Sequence, residues 1–195
     1  MKRSLYTLLY AALLGLVCAG LLTAARELTA ERQEANRQAE RVRHILDVLG
    51  SERRPRASSE ELLAAYEKNV RERRRGDLLL YECADPGGNV QAVAVHFEGP
   101  GLWGPIKGFL ALEPDMRTVR RVTFYEQEET PGLGGEISTK AFRKRFEKRR
   151  IVSPAGEPGI KVDAISGATM TSNRVERMLN RAIRKVLETE AEDER

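Results

Sequence analysis

Leu78-Leu79-Leu80-Tyr81-Glu82-Cys83-Ala84, then Pro86-Gly87-Gly88-Asn89, then Val90-Gln91-Ala92-Val93-Ala94-Val95-His96-Phe97 is the stretch from which the fold is read. Two runs of strand-forming residues around a Pro/Gly/Asn cluster predict a β-hairpin. In its second arm Val93, Val95 and Phe97 alternate with Ala92, Ala94 and His96, so the two sets face opposite sides of a sheet. Gly99 to Pro105 interrupts the pattern, and two more strands are expected over 106–112 and 118–125, joined at Pro114-Asp115. Short connections between successive strands give an antiparallel sheet.

Helices flank these strands. Ser58 with Glu61 reads as a capping box opening a helix that turns Leu62, Leu63, Tyr66 and Val70 inward and ends at Arg71–Arg75 and Gly76. Upstream, Leu28, Ala35, Val42 and Leu49 recur every seven residues with Ala39 and Leu46 between them, an apolar stripe ended by Gly50. The expectation is a stalk helix whose end packs on the domain, followed by a basic loop over 51–57 broken by Pro55. Downstream, Glu129 to Gly135 is a loop. Lys140 to Arg150 is expected to be a helix with Phe142 and Phe146 on one side and bases on the other. A second loop covers 153–159. Val175, Met178, Leu179, Ala182, Ile183, Val186 and Leu187 mark a last amphipathic helix with a charged tail.

From Ser4 to Ala25 the chain has 22 residues without a charge. As a helix they reach roughly 33 Å, enough for a bilayer core of about 30 Å. Lys2 and Arg3 are expected to keep the short end in the cytoplasm, with residues 26–195 on the far side, which in a bacterium would be the periplasm. A cleaved signal peptide is the rival reading, with Thr23-Ala24-Ala25 as the small residues, but signal cores commonly run about 7–15 residues, so a retained anchor is expected. The mean hydropathy of −0.46 conceals this segment. So does the net charge of +4: two of the 33 bases flank the anchor, leaving 31 bases against 29 acids, +2, beyond it. That near balance gives no basis for nucleic-acid binding. Two cysteines exclude a disulfide framework and a Cys-only metal site, and the separated His44 and His96 give no metal cluster. His44 is expected to face solvent, His96 to be half-exposed and Cys83 to be a buried small residue.

Ser166-Gly167-Ala168-Thr169-Met170-Thr171-Ser172 stands just before the last helix. Small residues let a ligand approach the backbone, hydroxyls offer an attachment oxygen, and a helix N-terminus suits a phosphate. Taken alone, Ser and Thr there are commonly N-caps. Glu129-Thr130-Pro131-Gly132-Leu133-Gly134-Gly135 is first of all a turn-rich loop, with one carboxylate and exposed backbone.

Val162-Asp163-Ala164-Ile165-Ser166-Gly167-Ala168-Thr169-Met170-Thr171-Ser172-Asn173 resembles the flavinylation motif of the FMN-binding subunits of bacterial Nqr and Rnf complexes, which are ion-pumping oxidoreductases. Further stretches agree in order: Gly101-Leu102-Trp103-Gly104 with Gly108 to Leu112, Phe124-Tyr125-Glu126, and Glu129 to Glu136. His44-Ile45-Leu46 and Leu49-Gly50 resemble the stretch after the anchor in the Nqr subunit. The details look NqrC-like, with RnfG second, although the length is nearer RnfG. The likeness is weakest over 51–95.

The resemblance implies that Thr171 carries FMN through a phosphodiester to its side-chain oxygen, made from FAD with Mg²⁺ by a separate flavin transferase. It implies that Ser166, Gly167, Ala168 and Thr169 line the phosphate and ribityl region. Glu129, Thr130, Leu133 and Gly134 would pack near the isoalloxazine, with Leu102 and Trp103 beside them. One departure is Gln127, where the family often has His. The implied fold is α+β: a transmembrane and stalk helix, then an FMN-binding domain with an antiparallel sheet and flanking helices. The divisions expected are an anchor at 1–25, stalk and linker at 26–76, the FMN domain at 77–188 and a tail at 189–195. The implied role is an electron-transfer subunit, in the bacterial inner membrane, of a sodium-translocating NADH:quinone oxidoreductase-like complex, partnered by its other membrane subunits. An RnfG-like subunit, a flavin-bearing donor to another reductase, and a non-redox anchored binding module are the alternatives. With no G-x-G-x-x-G after a strand, the chain is not expected to be a complete enzyme alone.

Overall fold

The computed structural model describes residues 2–50, 57–85, 87–152 and 156–193. Most of the basic loop at 51–57, Pro86 of the hairpin turn, residues 153–155 and the end of the tail lie outside these.

Contacts divide the chain into two units, 1–39 and 40–195. The first is most of helix α1 (Lys2–Leu49). Its Leu5, Leu9, Leu13, Leu16 and Leu21 are exposed, and an 18-residue window reaches a mean hydropathy of 2.2. That helix is long and apolar enough to cross a membrane.

The second unit is built on a five-stranded antiparallel sheet in the order β1-β2-β3-β4-β5. The strands are β1 (Val70–Arg75), β2 (Leu78–Ala84), β3 (Val90–Pro100), β4 (Pro105–Leu112) and β5 (Val119–Glu126). The hairpin and the two later strands lie where the sequence predicts them. β1 does not: the helix opened by the Ser58–Glu61 capping box, α2 (Ser59–Asn69), stops at Asn69, and Val70–Arg75 pairs with β2. Gly76-Asp77 is a two-residue hairpin connection between Arg75 and its partner Leu78, with Gly76 at φ +54°. Such a turn requires positive φ, which glycine adopts without a Cβ clash. The run of charges that resembles a helix end is an edge strand, where charged side chains reach solvent. Of the apolar residues assigned to α2, Leu62 is buried but Leu63 is exposed.

Both faces of the sheet are covered. On one, Leu80, Val93, Val95, Leu110, Val122 and Phe124 form a core with α3 (Lys140–Lys144) and α4 (Thr169–Asp193), through Phe142, Val175, Leu179 and Ile183. On the other, Tyr81, His96, Phe109 and Tyr125 form an aromatic cluster. The end of α1 packs on this cluster. Arg41 donates to Tyr81 Oη at 2.8 Å and the His44 ring lies 6.2 Å from that of Tyr125. Asp47 of α1 pairs with Arg121 at 3.2 Å and Arg143 at 3.3 Å. His44 is therefore set against the sheet rather than facing solvent, whereas Leu28, earlier in the stripe, is exposed. Cys83 is half-buried.

The helix expected over 140–150 ends at Lys144. Lys148, at φ +64°, turns the chain so that Lys148 N donates to Val119 O and Val119 N to Arg149 O, both at 2.7 Å. Backbone pairing with the start of β5 outcompetes helix continuation. The bases there form no single solvated face: Arg143 meets Asp47, and Arg149 meets Asp163 at 3.2 Å. Phe142 and Phe146 are buried as expected, their rings 5.3 Å apart.

His96 is half-buried, with Nε2 2.9 Å from Tyr125 Oη, and burial pushes its pKa below the ordinary value. A lowered folded pKa means the unfolded chain binds the proton more readily. The stabilisation is present above about pH 6.5 and is lost as pH falls from there through the folded pKa. Melting temperature is expected to fall between pH 7 and pH 5, by less in His96→Gln than in the unsubstituted chain; equal falls would show that His96 contributes nothing.

Candidate functional site

The segment from Ile160 to Ala168 belongs to no strand, so its amides need other partners. One side of α4 supplies them. Ser172, Glu176 and Asn180, spaced by four on the helix, accept from Ile165 N at 3.0 Å, Val162 N at 2.8 Å and Ile160 N at 2.8 Å. Ser172 Oγ also donates to Ala168 O at 3.0 Å. This polar row lies beside the apolar face of Val175, Leu179 and Ile183, and it fixes the Ser166–Ala168 turn over the start of the helix. Gly167 makes that turn at φ +74°, and a Cβ there would lie 2.9 Å from Leu133 Cδ2.

Helix α4 begins at Thr169, earlier than the sequence suggests, so Thr171 lies in its first turn and is not an exposed cap. Thr171 is only 1% exposed, and its hydroxyl donates to Glu129 Oε2 at 2.5 Å. Glu129 is itself 4% exposed. Its other oxygen, Oε1, accepts from Leu102 N at 2.6 Å and Trp103 N at 3.2 Å. The Glu129 amide donates to Gln127 Oε1 at 2.7 Å. A buried carboxylate needs such donors, and the N-terminus of α4 favours negative charge beside it.

Glycines make the close approach possible. A Cβ at Gly101 would clash with Glu129 Oε1, and one at Gly134 would lie 2.6 Å from Oε2 and 2.8 Å from Thr171 Oγ. Arg174, one turn further along α4, donates to Gly101 O at 2.5 Å and ties the Gly101–Gly104 loop to the helix.

The structure thus brings together Leu102, Trp103, Glu129, Gly134 and Thr171 directly, and Leu133 with Gly167. Ala168 is buried beneath the turn, while Ser166, Thr169 and Thr130 are exposed. Leu102 and Trp103 act on Glu129 through their amides, and their side chains are exposed, as are those of Leu133 and Met170. These apolar side chains around one buried polar pair form a rim suited to a flat, partly apolar ligand. Sequence reasoning missed the direct Glu129–Thr171 bond and the roles of Ser172, Arg174, Glu176 and Asn180. The i, i+4, i+8 spacing of Ser172, Glu176 and Asn180 was a legible signal. A cavity of about 960 Å³ borders Leu102 and Trp103 but is lined by neither Glu129 nor Thr171.

Residues 101–184 match the FMN-binding domain family. Glu129, Thr171 and their glycines all fall inside that match. The chain is 36% identical over 122 residues to the C subunit of the Na(+)-translocating NADH-quinone reductase of Yersinia pestis, an alignment covering 55% of this chain and 46% of that one. It is 37% identical over 117 residues to the Vibrio alginolyticus counterpart, covering 53% and 46%. The aligned part spans about half the length of these curated relatives. The crystal structure of the same reductase component from Parabacteroides distasonis superposes with a TM-score of 0.65 at 25% identity, covering 80% of this chain and 94% of that one. Shewanella oneidensis NqrC gives 0.64 at 21%, covering 75% and 91%, and supports the fold alone. The likeness to the FMN-binding domain family and to C subunits of Na(+)-translocating NADH-quinone reductases is established, and with it the α+β architecture.

Proposed function

We propose that the chain is the membrane-anchored FMN subunit of a sodium-translocating NADH:quinone reductase-like complex, with FMN joined to Thr171 through a phosphodiester. The observation that carries this reading is the hydroxyl of Thr171, held in the first turn of α4 by Glu129 within the region that matches the FMN-binding family. The chain's residues fit the group. The Gly167 turn and the helix N-terminus suit a phosphate, and Ser166, Ala168 and Thr169 border it. Leu102, Trp103, Leu133 and Thr130 flank the space for the ring, with Gly134 allowing close approach. Bound there, FMN would supply reversible electron transfer while the surrounding contacts set its potential.

The apolar N-terminal part of α1 serves as the anchor, with Lys2 and Arg3 in the cytoplasm and the second unit in the periplasm. The divisions into anchor, stalk, FMN domain and tail follow the same reading, except that the stalk's end from Glu40 onward belongs to the domain. The partners are the remaining membrane subunits and the flavin transferase.

Mass spectrometry of chain co-expressed with the transferase is expected to find FMN on the peptide containing Thr171. An unmodified peptide from a host that flavinylates a control protein overturns the covalent reading.

A further inference from the structure

Glu129 has the geometry of a reacting group rather than of a lining residue. Its Oε2 lies 2.5 Å from Thr171 Oγ, at the side chain proposed above to be modified. Its Oε1 is tethered to Leu102 N and Trp103 N, which belong to a different loop and are fixed to α4 by Arg174. An alcohol is a weak nucleophile until a base takes its proton, and such a base must lie within hydrogen-bond reach. Among the described residues, Glu129 is the carboxylate bonded to this hydroxyl.

We propose that Glu129 is the general base for flavin attachment, carried by the acceptor protein itself. This rests on the reading of Thr171 as the attachment site. The co-reactant is a flavin adenine dinucleotide. Thr171 Oγ attacks the phosphorus nearest the flavin, the Oγ–P bond forms, the bridging P–O bond to the adenylate breaks, and AMP leaves. The hydroxyl proton passes to Glu129 Oε2. The new phosphodiester carries one negative charge, so the transferred proton leaves the buried pair with one charge rather than two, the less costly state away from water.

The burial of Thr171 is compatible with attack on a phosphate held by another enzyme. The close cover on Oγ is Gly134, in the turn whose Leu133 N and Gly135 N both donate to Thr130 O. Displacing this turn opens Oγ while the amides of Leu102 and Trp103 keep Glu129 in place. The role also explains why glycine stands at both 101 and 134: a side chain at either would push the carboxylate from the hydroxyl.

The test is the rate of FMN adduct formation on the full chain, in detergent, with FAD, Mg²⁺ and the transferase. Glu129→Gln keeps an oxygen for the two amides but cannot take a proton. It is expected to slow attachment about 10²–10⁴-fold, in kcat and not in KM for the acceptor chain. Glu129→Asp, with a shorter carboxylate, should recover part of the rate lost in Glu129→Gln. A folded Glu129→Gln chain modified at the unsubstituted rate overturns the proposal. If that variant does not melt cooperatively, Glu129→Asp decides, and modification of it at the full rate with an unchanged pH profile overturns the proposal equally. Absence of adduct on the unsubstituted chain instead removes the covalent reading itself.

Discussion

Replacing Thr171 by alanine is expected to leave the chain with no covalent flavin and to lower its stability by about 1–3 kcal/mol. On the proposed attachment the first effect is absolute, because the oxygen that would carry FMN is gone. The second follows from burial: this hydroxyl is 1% exposed and bonded to a carboxylate that is 4% exposed. Alanine leaves Glu129 Oε2 without its donor in a place water does not readily reach. Thr171→Ser separates the two roles, since it keeps the hydroxyl and loses a methyl group. It should retain both the adduct and most of the stability. Mass spectrometry of co-expressed protein reads the first effect, and denaturant melts of chain made without the transferase read the second. An adduct persisting on the alanine variant would move the attachment to another hydroxyl of the motif. A melt identical to that of the unsubstituted chain would mean that the Glu129–Thr171 bond contributes nothing.

Much of this protein is written locally. The alternation in 90–97, the turn residues before it and the capping box at Ser58 each specify their element through neighbours within a few positions, and each is found. What was illegible depends on pairing partners rather than on a segment's own pattern. Val70–Arg75 carries no apolar alternation, because it lies at the sheet edge and is defined by its pairing with β2 across the Gly76-Asp77 turn. Residues 145–150 have helical composition but are drawn out by backbone bonds to β5, more than two dozen positions earlier. The site follows the same division. The Ser166–Ser172 string marks, through its resemblance to the flavinylation motif, the turn proposed for attachment, whereas the bond from Glu129 spans 42 positions. Resemblance placed Glu129 near the ring. Only the fold sets its carboxylate on the threonine, with amides from a third segment holding the far oxygen.

The face of the sheet turned away from α4 depends on one residue more than any other. Phe109 is fully buried in β4, edge-on to Tyr81 at 5.6 Å and to His96 at 5.4 Å, and stacked with Tyr125 at 5.4 Å. Those three rings belong to β2, β3 and β5, so Phe109 links four of the five strands through side chains. Two of them, Tyr81 and Tyr125, are also the rings against which Arg41 and His44 of α1 pack. Phe109→Ala removes a whole ring where neighbours anchored in hydrogen-bonded strands cannot close the gap, and is expected to cost about 3–5 kcal/mol. For a unit of this size that lowers the melting temperature by roughly 6–20 °C. The loss should not extend to the chemistry. Thr171 and Glu129 are held by α4 and the loops on the other side, so whatever fraction of Phe109→Ala remains folded should still acquire FMN at the unsubstituted rate. A calorimetric scan beside the adduct assay tests both halves. A shift of only a degree or two would show that the aromatic cluster repacks, and a folded variant that fails to take up flavin would show that the two faces of the sheet are coupled.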